Sequence, residues 1–318
     1  MASVAAKITR AIPVAMILAF LIPQQSIAAT AAPADIVRQV LSAPDNKLDY
    51  AQAKLAFDQV IDPSIEPAKV MAELDGMAAE VKAMAGPRPG TRDMLTALQQ
   101  MIYQSGPWND NRPFSYDLDD PLGTDIHHKL LSVYLTTRRG NCVSMPVLFL
   151  ILADRVGLSG AALANAPLHS FIRYTDSAGH TLNLETTSGA YVMPDAEFRR
   201  KLPMTDRAIE SGLYMRSLTR REAVANMASV VVEYLVKTGR NEDAIAVADV
   251  ILKNDPRNGF VMAKQATAYA QIMEVEFAAK YPTPDLIPES LRARYRMLDE
   301  KNRAAWDAAE ALGWRPDE

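Results

Sequence analysis

Residues 138–145 read Arg-Arg-Gly-Asn-Cys-Val-Ser-Met, RRGNCVSM, and an apolar run, VLFLILADRVGL at 147–158, follows almost at once. The run is long enough and apolar enough to predict a buried helix that stops at Gly157. Asn141 is a strong N-cap residue, which puts Cys142 in the first turn. Pro146 is tolerated because it falls close to the helix start. Unpaired N–H groups and the helix dipole favour an anion there, so the position suits a thiolate. Arg138 and Arg139 add positive charge beside it in the chain. Cys142 is also the only cysteine. Three readings follow from that: a small core residue, half of an intermolecular disulfide, or a nucleophile.

A nucleophilic thiol needs a base, and the chain has four histidines, His127, His128, His169 and His180. The clearest β signal, HSFIRY at 169–174 and TLNLET at 181–186, is a predicted hairpin joined by a turn with Gly179 in the left-handed position. Pairing Asp176 with His180 then sets Glu185 opposite Phe171, with His169 its diagonal neighbour. One face carries His169, Phe171, Arg173, Asn183 and Glu185; the other carries Ile172, Tyr174, Leu182 and Leu184. A carboxylate that orients an imidazole, which in turn activates a thiol, completes a triad. Cys142, His169 and Glu185 are the candidate catalytic residues, and Asn141, Arg173 and Asn183 the candidate substrate-binding ones. His127 and His128 sit on a predicted helix whose inner face is filled by Ile126, Leu130, Leu131 and Tyr134.

Outward from this region the chain is helical. Apolar spacing predicts helices across 34–84, over 91–104, and over 124–136 with Thr124 as cap. After Pro203 a helix–turn–helix pattern repeats through ANMASVVVEYLVKTG, NEDAIAVADVILKNDP and GFVMAKQATAYAQI, with a last helix to about Leu312. The loop at 106–123 holds Asp117, Asp119 and Asp120, with Asp125 just beyond. Its glycine is one position late for a calcium-binding hand and the closing glutamate is missing, so it reads as a solvated turn cluster. No cluster of metal ligands is apparent, and neither metal nor cofactor is expected.

Composition bounds the partners. A formal charge of −4 on 318 residues argues against nucleic acid. Lys7 and Arg10, the apolar stretch at 11–23 and the small residues of SIAATAA have the layout of a cleaved secretory signal over residues 1–29. That stretch is too short to span a bilayer, so no stable membrane anchor is expected after cleavage. The mature chain is expected to be exported, periplasmic or secreted.

Gly-Asn-Cys at the start of an apolar helix, a histidine opening a strand and an acid closing the next resemble the transglutaminase-like superfamily, whose order along a papain-related core is Cys, His, Asp. The run from IDPSIEPAKVMAEL through DPLGTDIHHKLLSVYLTTRRGNCVSMPVLFLILADRVGL to LHSFIRY resembles more closely its SirB-type branch, which carries tetratricopeptide-like helices behind that core. The resemblance implies an α+β fold: a helix-rich papain-like core with a small antiparallel sheet at 36–200, then an all-α region at 201–318. It implies Cys142 as nucleophile, His169 as base and Glu185, where most relatives have Asp, as acid. A cysteine-dependent acyl transfer on a protein or peptide substrate is the expected activity. Many SirB-type proteins lack the cysteine, so the alternative is a silent scaffold that holds a protein partner on its C-terminal helices.

Overall fold

The structure, a computed structural model, describes residues 31–315, and the expected signal segment falls outside them. From Ala32 onward the chain belongs to one compact unit. It opens with helices α1 (Pro33–Leu41), α2 (Tyr50–Ile61) and α3 (Pro67–Ala85). The periodicity across 34–84 is thus divided at Pro44 and Pro63, where a ring without an N–H cannot extend a helix. Gly86, at φ +89°, ends α3, and α4 (Thr91–Tyr103) follows. A short strand, β1 (Ser115–Tyr116), then runs parallel to β2 (Arg139–Gly140), with α5 (Leu131–Thr137) between them.

The helix expected over 124–136 is broken. A single 3-10 turn, Ile126–Lys129, is capped by Asp125 rather than Thr124, and Leu130 is extended before α5 begins. The cause lies 73 residues upstream in α2. Asp58 accepts the Leu131 N–H at 2.9 Å, and Lys54 Nζ donates to the Lys129 carbonyl at 2.9 Å. Backbone groups that a continuous helix would pair internally are held by this buried Lys54–Asp58 pair instead.

Helix α6 (Ser144–Arg155) is the centre of the molecule: every residue from Ser144 to Ala153 is buried. At about 1.5–3 kcal/mol for each large apolar side chain, Leu148 to Leu152 make it a large contribution to the core. It packs on α3, α4, α5 and the sheet. That sheet has four antiparallel strands in sequence order: β3 (Ala161–Ala166), β4 (His169–Thr175), β5 (Thr181–Glu185) and β6 (Tyr191–Val192). Arg173 pairs with Asn183, and the Asp176 N–H donates to the His180 carbonyl, the predicted register. Strand β3, AALANA, gives no β signal in the sequence because it lacks β-branched and aromatic residues.

Both faces of the sheet are covered. Ile172 and Leu184 join the main core, while Phe171 on the other face stacks on Phe198 with centroids 4.2 Å apart. Phe198 belongs to α7 (Asp195–Lys201), and the segment after α8 (Asp206–Glu210) adds Leu213, Tyr214 and Met215 to this smaller cluster. The remaining helices are α9 (Arg220–Met227), α10 (Ser229–Lys237), α11 (Asn241–Asn254), α12 (Gly259–Met273) and α13 (Glu289–Ala311). From α10 to α13 each packs on the next, and α9 and α10 also lie on α2. The architecture is α+β and dominated by helices.

Candidate active site

Asn141 sets the position of the thiol. Its Oδ1 accepts the N–H groups of Val143 at 3.0 Å and Ser144 at 3.2 Å, while Ser144 Oγ accepts the Asn141 N–H at 3.1 Å. This reciprocal cap satisfies donors that a helix start leaves open. The Met145 N–H donates to the Asn141 carbonyl at 3.0 Å. Pro146 has no N–H for the next bond, so regular helix is delayed to Ser144 although the chain already turns at Cys142. The Cys142 N–H has no acceptor among the described residues. On its other side Asn141 Nδ2 donates to the His128 carbonyl at 3.2 Å. Asn141 is therefore a capping and bracing residue.

Gly140 is required by crowding. A Cβ there would lie 2.5 Å from the Tyr134 ring and 2.7 Å from Ser144 Oγ, distances no side chain adopts. Arg138 and Arg139 do not serve the thiol as expected. Arg138 lies over the Phe114 ring, 4.2 Å from its centroid, and Arg139 pairs with Asp117 at 2.8 Å and Asp119 at 2.7 Å. Nor is the acidic loop merely solvated. Asp117 and Asp120 are buried, and Asp120 accepts from the Thr124 N–H and hydroxyl, both at 2.7 Å.

His169 opens β4 and Glu185 closes β5, and their side chains meet: Nε2 to Oε2 is 2.7 Å. Thr187 fixes the other carboxylate oxygen, donating from its N–H at 3.0 Å and its hydroxyl at 2.7 Å. Since Nε2 is taken by Glu185, Nδ1 is the nitrogen left to serve the neighbouring Cys142, which acts on the imidazole's pKa. Burial alone would push the His169 pKa down. The hydrogen bonds to Cys142 and Glu185, with the negative charge on both, outweigh burial and raise it to about 9. Burial likewise pushes Glu185 up, and the His169 bond and charge, with Thr187, reverse this and hold it below the usual carboxylate value. The arrangement keeps a proton on the imidazole at neutral pH, with the Glu185 carboxylate against its Nε2.

Leu168 and Thr187 are contributors that sequence reasoning missed. Leu168 occupies the second position of the tight Pro167–Leu168 turn with φ +49°, a conformation that normally calls for glycine. Its carbonyl accepts the Cys142 thiol at 3.4 Å. A leucine following proline in a two-residue turn was the available clue. For Thr187, the clue was its place two residues beyond Glu185, where a side chain can bond back to the local backbone.

Arg173 and Asn183, the other candidate substrate contacts, are engaged elsewhere. Asn183 Nδ2 donates to the Met193 carbonyl at 3.0 Å and to Asp195 at 2.5 Å; Arg173 donates to the Met215 carbonyl and to Asp195 at 3.4 Å. They tie the cover of the sheet to the strands and do not line the cavity described next. Alternation along the strands places them correctly on the His169 face, but α7 and the 206–215 segment cover that face.

Cys142, His169 and Leu168 line a cavity of about 310 Å³. Asn165 and Ser170 line it too, joined by a bond from Ser170 Oγ to Asn165 Oδ1 at 2.9 Å. A family model described as the transglutaminase-like superfamily matches residues 68–228, just over half of the chain. The chain belongs to the transglutaminase-like superfamily. Cys142, His169 and Glu185 all fall within the matched span, whereas α10 to α13 lie beyond it. No curated protein matches the chain.

Proposed function

We propose that this transglutaminase-like protein is an exported cysteine-dependent acyl-transfer enzyme acting on an amide of a protein or peptide, with Cys142, His169 and Glu185 as its triad. The observation that carries the reading is the cluster at the cavity wall: Glu185 on Nε2 of His169 at 2.7 Å, Cys142 close enough to act on the imidazole, and Cys142 and His169 both lining the cavity. The thiolate attacks the amide carbonyl carbon, and the electron pair moves onto oxygen. The unbonded Cys142 N–H receives that oxyanion. As the tetrahedral centre collapses, His169 gives its Nδ1 proton to the leaving amine, and an acyl thioester remains on Cys142. Water or an incoming amine then attacks the thioester carbonyl while His169 takes back a proton. Collapse expels the thiolate and releases the acid or the new amide. Glu185 stays ionised and holds the ring.

Within the superfamily the SirB-type branch is the closest fit, given a nucleophile region preceded by DPLGTDIHHKLL and followed by a helical region read as tetratricopeptide-like. Labelling of the purified mature protein tests the assignment. Alkylation of Cys142 at about pH 6, where an ordinary thiol is nearly all protonated, is expected to be fast and to slow at least tenfold in His169→Ala. Equal rates in the two proteins would refute the triad. Mass spectrometry of the exported fraction should give a first residue between Ala29 and Ala34, and an intact Met1 there would refute export with cleavage.

A further inference from the structure

The cavity that takes in Cys142 and His169 is walled chiefly by apolar side chains. Val147 of α6, Leu163 of β3, Met227 of α9, Val230 of α10 and Phe260 of α12 all line it. At about 310 Å³ it has the size of a small-ligand pocket. The charged groups on its walls are already engaged. Lys54 is held by Asp58, Lys129 by both oxygens of Glu233 at 2.7 Å, and Arg257 by Glu222 at 3.2 Å. The Lys264 ammonium lies 5.2 Å from the centroid of the Phe260 ring, within reach of a cation–π contact. A charged ligand would compete with these pairs, whereas an apolar group displaces water from apolar walls.

Two exposed leucines carry the apolar lining out to solvent. Leu122 and Leu168 line the cavity, yet they are 57% and 60% exposed. Both are held in place. Leu168 sits at φ +49°, where a leucine is strained. So exposed a side chain is not there to pack within the fold. The loop that carries Leu122 is pinned on either side. The Tyr116 hydroxyl donates to the Pro121 carbonyl at 2.9 Å, and Lys237 Nζ to the Thr124 carbonyl at 2.5 Å. Large apolar side chains held toward water at the rim of an apolar cavity mark a binding site for an apolar group.

One polar pair points to the kind of molecule that carries this group. Asn165 and Ser170 are partners across β3 and β4, one step from the Ala166–His169 pair, and both line the cavity. An amide and a hydroxyl suit the N–H and C=O of a peptide backbone, whereas a bare hydrocarbon chain has no group for them. We infer that the acyl donor is a peptide whose residue at the scissile carbonyl carries a large aliphatic side chain. That side chain seats among the apolar walls behind Leu122 and Leu168, with the backbone against Asn165 and Ser170. The inference rests on the acyl-transfer reading of the same site.

Nitrophenyl esters of N-acetyl amino acids test it on the whole mature protein. Their side chains lengthen by one methylene at a time from alanine to norleucine, with glutamate and lysine as charged members. Cys142 attacks the ester carbonyl, nitrophenolate leaves with the electron pair, and the acyl group stays on sulfur as a thioester until water releases it. Nitrophenolate release and intact-protein mass give the acylation rate, which is divided by that for free cysteine. The rate should rise about threefold per methylene. The glutamate and lysine esters should be about tenfold slower than the norleucine ester. Leu168→Asn tolerates the left-handed backbone but removes the apolar side chain, and should lower the norleucine-to-alanine ratio about threefold. Val230→Thr keeps the shape of the wall, makes it polar and should act in the same direction. The hexanoyl ester matches norleucine in carbon chain but lacks the acetamido group, and it should be slower. A faster hexanoyl ester would overturn the peptide in favour of a fatty acyl donor. A flat series, with acylation still dependent on His169, overturns the side-chain pocket and leaves the triad standing. No acylation of Cys142 by any ester, together with alkylation that ignores His169→Ala, overturns both.

Discussion

Replacing Glu185 by glutamine should convert His169 from a base that holds its proton into one that loses it near neutral pH. In the native protein the imidazole is almost buried, a setting that on its own favours the neutral ring. The neighbouring Cys142 and Glu185 reverse this and raise its pKa from 6.5 to about 9. A folded-state value above the unfolded one means that this group stabilises the fold fully below about pH 6.5 and that the contribution is lost as pH rises through about 9. At about 1.4 kcal/mol per unit, the amount is on the order of 3 kcal/mol. Glu185 has the opposite sign. Its value is held below 4.5, so its stabilisation is present above that pH and is lost on acidification. The pair therefore supports the fold best between about pH 4.5 and 6.5.

In Glu185→Gln the carboxylate is gone and burial opposes protonation with only the sulfur to counter it. The imidazole midpoint should fall to its ordinary value or lower. The stability gap between wild type and variant, measured by urea unfolding, should narrow by about 3 kcal/mol between about pH 6 and pH 10. NMR titration of the imidazole gives the same midpoint directly in the folded state. Cys142→Ser should lower that midpoint too, because the sulfur is the other partner that retains the proton. A wild-type His169 titrating near 6.5, or a gap constant across this range, would show that the two side chains are neighbours without being coupled.

Other perturbations test the supports of the site. Lys54→Met strands the buried Asp58 carboxylate and should cost about 3–5 kcal/mol in urea unfolding; a change below about 1 kcal/mol would mean the pair does not hold the 129–131 backbone. Gly140→Ala forces a methyl group against Tyr134 and Ser144 and should cost about 1–3 kcal/mol, with slower Cys142 labelling, because the same residues seat the cap. Phe198→Ala removes the ring stacked on Phe171 and should cost about 3–5 kcal/mol. It should also open the His169 face to water, read as faster amide exchange in β4 and β5.

What was legible in the sequence is what depends on neighbours in the chain. The Asn141 cap, the α6 core helix and its stop at Gly157, and the hairpin register that brings Glu185 diagonally to His169 all follow from local pattern and pleat geometry. Each is a decision made within about 20 residues. The failures share one cause, which is that a distant segment takes over a local choice. Thr124 lost its helix because Lys54 and Asp58, far upstream, offered the 129–131 backbone better partners inside the core. Arg173 and Asn183 fell on the expected face, but a period of two says which side chains share a face and nothing about what covers it. The cover is α7 and the segment after α8, drawn in by Phe198 on Phe171, so the two polar groups bind Asp195 and the Met215 carbonyl. The wall of the cavity could not be read in sequence for the same reason. Val230 and Phe260 belong to helices whose pattern advertises only packing, and they line the cavity because α10 and α12 close over the space beside Cys142. In this fold the reacting residues are set by local sequence, whereas the residues that would select a substrate are set by which helices end up opposite them.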